Sequence, residues 1–196
     1  MLCTLTHIRS AVVVLAVGFL FALFPSTTSA QAYVQLQVLL PGEVPAPGTG
    51  QGKLGTPRPQ VAGTGLAVTV RACDASWNTV PLTNVVSISS SDATANLPGS
   101  AALVNGQVTL PATLNAAGSF TFTARDESDA TIPVATSAFV TTQVLQGFTF
   151  DRVKNQTAGK PFRISVAAVD PNLNVVVGFD GAVQLDQITS LGPGRM

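Results

Sequence analysis

Past residue 32 the chain alternates apolar and polar positions with a period of two, which is the pattern of strands that bury one face. Val34, Leu36, Val38 and Leu40 alternate with glutamines until Pro41-Gly42 stops the run, and Leu66, Val68, Val70 and Ala72 alternate with Ala67, Thr69 and Arg71. Val86 and Ile88 alternate with serines; Val108, Leu110, Ala112 and Leu114 form another run, Phe120, Phe122 and Ala124 a further one, and Ala138 to Val144 the last. No apolar stripe at helical spacing interrupts them. Short strands separated by Gly, Pro, Asn and Asp predict an all-β fold, a β-sandwich in the first instance with a barrel as the alternative. Between Pro41 and Gln60 stand Pro41, Pro45, Pro47, Pro57 and Pro59. Proline lacks the amide that a helix interior or central strand needs, so this stretch is expected to be an exposed loop or an extended segment along an edge.

Internal repetition organises the rest. Ala62-Gly63 through Asp74 aligns without a gap on Ala158-Gly159 through Asp170, an offset of 96 residues, and the match runs on through Asp74-Ala75-Ser76-Trp77-Asn78 and Asp170-Pro171-Asn172-Leu173-Asn174. With a one-residue slip, Val86 and Ile88 fall on Val183 and Leu185. The period is that of one immunoglobulin-like domain. It predicts a complete unit over 33–143 and a second over 146–196, with Met196 opposite Ser100. Counterparts of residues 101–143 are missing from that second unit. It reads as a truncated half-sandwich, its apolar face and edges open.

The first thirty residues differ in kind. His7 and Arg9 precede an uncharged apolar run from Ala11 to Phe24, followed by Pro25 and the small residues Ser26 to Ala30. That is the order of an N-terminal signal helix, with cleavage expected after Ala30 or Ala32; the run is short for a bilayer span. Cys3 precedes the run, which argues against a lipid-modified cysteine behind it. The expected location is therefore secreted or cell-surface. Beyond the signal, nine basic residues face ten acidic ones in scattered positions. Nucleic acid and anionic membranes require clustered Lys and Arg, so neither is expected as a partner. Only Cys73 remains as a thiol, which rules out an intramolecular disulfide after cleavage and favours a buried structural cysteine. Stability must come from the core, and the 46% hydrophobic content suffices for one.

Leu39-Leu40-Pro41-Gly42-Glu43, Ala46-Pro47-Gly48-Thr49, Gly52-Lys53 and Gly55-Thr56-Pro57 resemble the opening of the bacterial immunoglobulin-like (Big-like) repeats that occur in tandem in large surface and secreted proteins. Ala62-Gly63, Val68-Thr69-Val70 and Asp74 to Asn78 resemble the second and third strands of such a repeat with the turn between. The resemblance implies an immunoglobulin-like sandwich with neighbouring repeats as partners, and it brings no catalytic residues.

Candidate chemistry is sparse. Gly50-Gln51-Gly52-Lys53-Leu54-Gly55 spells the G-x-G-x-x-G of phosphate loops, but Thr56-Pro57-Arg58-Pro59 cannot open the helix that such a loop needs, so a flexible loop is expected. Asp74 with Asn78, and Asp170 with Asn174, recur at one place in both units. Structural turns come first as their explanation, and calcium is the sharper alternative if Asp92, Asp126 or Asp180 converge on them. Arg125 to Asp129 reads as an exposed charged turn. His7, inside the signal, is the sole histidine, which excludes Ser-His-Asp and Cys-His catalysis and His-ligated zinc in the remainder. No pair of carboxylates is marked out for glycoside hydrolysis. Trp77 is expected to cap the core, with a platform for sugar as the alternative. The functional expectation is a non-catalytic structural or spacer module; the alternatives are a carbohydrate- or protein-binding adhesin unit and an accessory domain of an extracellular enzyme.

Overall fold

The computed structural model describes residues 31–185, so the expected signal helix and the last residues of the second unit lie outside the described residues. Among the described residues the chain is all-β, without helices. The first stretch contains β1 (Gln35–Leu39), β2 (Glu43–Pro45), β3 (Lys53–Gly55), β4 (Gln60–Val61), β5 (Gly65–Cys73) and β6 (Val85–Ser90). It continues with β7 (Ala101–Ala102), β8 (Gln107–Thr113), β9 (Gly118–Phe120), β10 (Phe122–Asp126), β11 (Ala135–Thr136) and β12 (Val140–Gln143). β13 (Gly147–Phe150) and β14 (Val166–Val169) form a separate antiparallel pair.

Two antiparallel sheets, β1-β5-β8 and β11-β10-β6-β7, enclose one apolar core in a sandwich-like arrangement. Period-two alternation places Leu36 and Val38 from β1, Leu66, Val68 and Val70 from β5 and Leu110 from β8 against Val86, Ile88, Phe122 and Ala124 from the facing sheet. Val140 and Leu114 close the side of this core. A third small sheet, β4-β12-β9, combines antiparallel and parallel pairing, with Gln60 opposite Thr142 in the parallel pair.

Three expectations change on this frame. The expected continuous strand from Phe120 to Ala124 is divided at Thr121: β9 pairs with β12, whereas β10 pairs with β6. Ser91 holds the break from both sides, its amide donating to the Thr121 carbonyl at 3.0 Å and its hydroxyl accepting from the Thr121 amide at 2.9 Å. The proline-rich stretch is more ordered than a loop. β2 and β3 pair as a hairpin, with Pro45 opposite Lys53. A two-stranded hairpin has only edges, so proline's missing donor interrupts no central ladder. Finally, the outer side of the first sheet is not a solvent face at its upper end, because Gln37 and Arg71 are buried there.

Candidate functional site

Four aspartates each organise a turn, and short polar side chains that accept backbone amides favour this geometry. The Asp74 carboxylate accepts from the Ser76 and Asn78 amides, both at 2.9 Å, and from Asn78 Nδ2 at 3.0 Å. Asp170 accepts from the Asn172 and Asn174 amides, both at 2.8 Å, and from Asn174 Nδ2 at 3.1 Å. Both turns place a non-glycine residue at positive φ, Trp77 at 66° and Leu173 at 63°. The side-chain hydrogen bond from Asn78, only partly offset by desolvation and reinforced by Gln31 and the backbone amides, lowers the Asp74 pKa to about 2. Asp170 is lowered by the same arrangement with Asn174. In each turn the asparagine presents its NH₂ group to the carboxylate; two N–H donors meet each Asp74 oxygen, and three donors in all meet Asp170.

Of the residues named as possible recruits to a calcium site, Asp92 and Asp126 serve other turns. Asp92 accepts from the Thr94 amide and hydroxyl and from the Asn115 and Ala116 amides, at 2.6 to 3.1 Å. Burial pushes its carboxyl up, but those donors outweigh it and the pKa settles at about 2. Among the described residues no group of three or more His, Cys, Asp or Glu converges as metal ligands would. Asp180 lines a groove with Pro59 and Phe179.

Asp126 corrects the expected exposed charge cluster: it is only 2% exposed. Its Oδ2 accepts from the Tyr33 hydroxyl and Asn84 Nδ2, both at 2.8 Å, and its Oδ1 from the Ser128 and Asp129 amides at 2.8 and 3.0 Å. Burial raises its pKa, and the donors bring it below the ordinary carboxylate range in sum. Desolvation, and after it the same contact with Asp126, pushes the Tyr33 phenol upward. Neither partner carried a sequence signal, since Tyr33 and Asn84 lie 93 and 42 residues from Asp126.

A second polar assembly sits on the outer side of the first sheet. Arg71 donates to Gln37 and to Thr79, and Gln37 donates to the Gly52 carbonyl at 2.9 Å. The hairpin is thereby tied down, and Gly48 adds a bond to the Ser76 carbonyl at 2.8 Å. Trp77 completes the clamp. It is half-buried and lies outside the core cluster, contrary to the expected core position. Its indole lies on Gly52, where a Cβ would meet Trp77 Cγ at 2.1 Å. Gly52, at φ 67°, thus provides close approach to an aromatic ring and belongs to an ordered hairpin, where a flexible loop was expected. Lys53 pairs with Glu43 at 2.8 Å across the hairpin. Cys73 is fully buried beside this assembly, and burial pushes its thiol up, away from reactivity.

Two openings flank the hairpin. One, of about 220 Å³, runs between β1 and β11 and is walled by Gln35, Gln51, Lys53, Trp77 and Val134. The other, about 370 Å³, lies between β2 and β5 and is walled by Leu40, Pro45, Thr69, Arg71 and Gln107. Below the first unit, Val61 packs with Ala168 and Val176, joined by Leu145 and Phe179. The Val177 amide donates to Gln143 Oε1 at 2.8 Å, and Gly178 comes so close to Pro59 that a Cβ would meet its carbonyl oxygen at 2.3 Å. No family model matches the chain, and no curated protein matches it in sequence.

Proposed function

We propose that this chain is a non-catalytic structural module of an exported protein built from immunoglobulin-like units in series, in which each unit spaces or presents its neighbour. The observation that carries the reading is the joint between the units. Only Val144, Leu145 and Gln146 connect β12 to β13, and Val61, Leu145, Ala168, Val176 and Phe179 pack around that connection. A short connection with its own apolar cluster and a side chain-to-backbone bond suits a rigid spacer, whereas a flexible array needs a polar linker without contacts.

The strand order supports the immunoglobulin-like part of the reading. β1-β5-β8 follows the A-B-E order and β6-β10-β11 the C-F-G order of such sandwiches. Support for serial units comes from the turns at Asp74 and Asp170, 96 residues apart, whose hydrogen bonds correspond one for one. Export rests on the charge and hydropathy order of residues 1–30.

Backbone relaxation by NMR on residues 31–196 tests the spacer reading. Residues 35–143 and 147–185 are expected to report one rotational correlation time, and independent tumbling of the two would overturn it. Mass spectrometry of the chain recovered outside the producing cells tests export, with a new N-terminus expected at Gln31 or Tyr33. A second reading, a carbohydrate-binding unit, draws on half-buried Trp77 beside Gln35 and Gln51 in the groove along β1. Binding of neutral oligosaccharides that Trp77→Ala abolishes would favour it over the spacer.

A further inference from the structure

Arg71 is a buried cation without a counter-ion among the described residues. It is only 6% exposed, and the ion pair that those residues contain joins Lys53 to Glu43 instead. Its Nη1 donates to Gln37 Oε1 and its Nη2 to the Thr79 hydroxyl, and both acceptors are neutral. A guanidinium carries five N–H donors, so those two bonds leave others unused. Among the described residues every polar side-chain atom sealed from solvent has a partner. Arg71 Nε donates to none of them, so that edge of the guanidinium reaches solvent.

Arg71 is one wall of the opening of about 370 Å³ between β2 and β5. The other charged wall is Glu43, and both of its oxygens are engaged, Oε1 by Lys53 Nζ at 2.8 Å and Oε2 by the Leu40 amide at 2.9 Å. One cation is therefore left over. Leu40 and Pro45 make much of the remaining lining apolar, and Thr69 and Gln107 add a hydroxyl and an amide. Gln107 stands opposite Arg71 across β5 and β8. Taking a charge out of water is costly unless an opposite charge meets it, and the planar guanidinium fits a carboxylate through parallel N–H···O bonds.

We propose that this opening binds an organic monocarboxylate with an apolar body, its carboxylate on Arg71 and its body against Leu40 and Pro45. An inorganic anion is hydrated on every side and would lose that hydration against the apolar walls, whereas an apolar acid is stripped of water only where Arg71 replaces it. The carboxylate is that of a small free acid or that at the end of a polypeptide, since both present the same group. The second segment has no such site, because Ala167 stands where the first has Arg71.

The site goes beyond the spacer reading, which rests on the joint at Val61 and Val176, and it lies on the other flank of the hairpin from the groove beside Trp77. Titration of residues 31–196, the compact unit that begins at Gln31, with sodium hexanoate tests it. The readout is the NMR signals of Arg71 Nε and of the Thr69 and Gln107 amides. Saturable shifts are expected with a Kd on the order of 1 mM, the range open to a ligand of about eight heavy atoms. Hexanamide has the body without the charge and sulfate the charge without the body, and each is expected to bind at least ~10-fold more weakly. Gln107→Glu sets a carboxylate beside Arg71 and should weaken hexanoate by at least ~10-fold, with Trp77 fluorescence showing that the fold is kept. Arg71→Gln removes the cation and should do the same; Gln107→Glu, at an exposed position, decides the matter if Arg71→Gln unfolds. N-acetylalanylleucine separates the two sources: binding tighter than hexanoate identifies a polypeptide end, and weaker binding a small free acid. The proposal is overturned by the lack of saturable shifts up to ~50 mM hexanoate, by hexanamide or sulfate binding as tightly, or by binding that Gln107→Glu leaves unchanged. None of these outcomes moves the joint, so the site can fail while the spacer stands.

Discussion

Asp126 is a buried carboxylate of the first unit with four donors, and Asp126→Asn isolates its contribution. Two donors meet each of its oxygens: Tyr33 and Asn84 on one, the Ser128 and Asp129 amides on the other. An asparagine keeps one acceptor and turns an NH₂ group toward the other pair, so two donors lose their partner in a buried place. Hydrogen bonds to a charged group contribute about 1.5–3 kcal/mol each, and a buried unsatisfied group costs about 1–3 kcal/mol. Relaxation and water entry return part of this, which leaves a loss of about 3 kcal/mol, or a fall in midpoint on the order of 10 °C for a domain of this size. Urea and thermal unfolding, followed by Trp77 fluorescence and circular dichroism, measure it. The pH dependence gives an independent check. Because the folded carboxyl lies below its ordinary pKa, its stabilisation is complete above the unfolded value of about 3.9 and disappears as pH falls through the lower folded value. The gap between wild type and variant should be widest near neutrality and close in acid. A gap under about 0.5 kcal/mol at neutral pH, small enough for an ordinary surface site, would refute the reasoning. So would a gap that persists unchanged to strong acid. Tyr33→Phe removes one of the four donors, and a double-mutant cycle with Asp126→Asn should return a coupling near 1 kcal/mol.

Gly52→Ala forces a Cβ into the Trp77 ring at a position with φ 67°, which should destabilise the first unit by about 2 kcal/mol and shift Trp77 emission to the red as the indole is displaced. Asp92→Asn should flatten the acid limb of the stability profile between about pH 4 and pH 2, since the wild-type carboxyl titrates at about 2 when folded and its contribution is lost on descending through that window. Phe122→Ala empties a fully buried position between the sheets and should cost about 3–5 kcal/mol by denaturant titration without altering the mass of the chain in solution.

The strands that border the core were legible because one face of each is buried and the other is not. β6, β8 and β10 follow that alternation and β5 does so as far as Val70, whereas β1 buries Leu36 to Leu39 in a row. What escaped was set by contacts distant in sequence. β7 and β11 are two residues long and too short to show a period. The division at Thr121 depends on Ser91, thirty residues earlier, while Phe120 and Phe122 continue the alternation across it unbroken. Gln37 and Arg71 read as solvent-facing by period and are buried only because the hairpin lies over them. Five prolines argued against regular structure between Pro41 and Gln60, and β2–β3 forms there because a hairpin needs few ladder bonds. The Asp–Asn turns were visible from their spacing, yet their acceptor-only geometry was not.

The hairpin explains why the two similar turns carry different residues. Gln35 and Cys73, paired across β1 and β5, are 38 positions apart; Gly147 and Val169, paired across β13 and β14, are 22 apart, so the first unit holds sixteen more at this point. The hairpin and its tip, Glu43 to Gly55, account for thirteen of those sixteen. The four side chains that fasten it have counterparts unable to do so: Gln37 becomes Thr149, Arg71 becomes Ala167, Thr79 becomes Val175 and Trp77 becomes Leu173. Leu173 is 71% exposed with nothing to cover, though its backbone keeps the same positive φ and its Asp170 the same donors. The turn is therefore maintained by Asp and Asn alone, whereas the tryptophan answers to the hairpin. Buried Arg71 has neutral acceptors in Gln37 and Thr79, and a guanidinium held by neutral groups stays desolvated only while a cover remains in place. Trp77, Gly52, Gln37 and Arg71 thus act as one unit whose presence depends on an added strand pair, and they distinguish the first segment from the second.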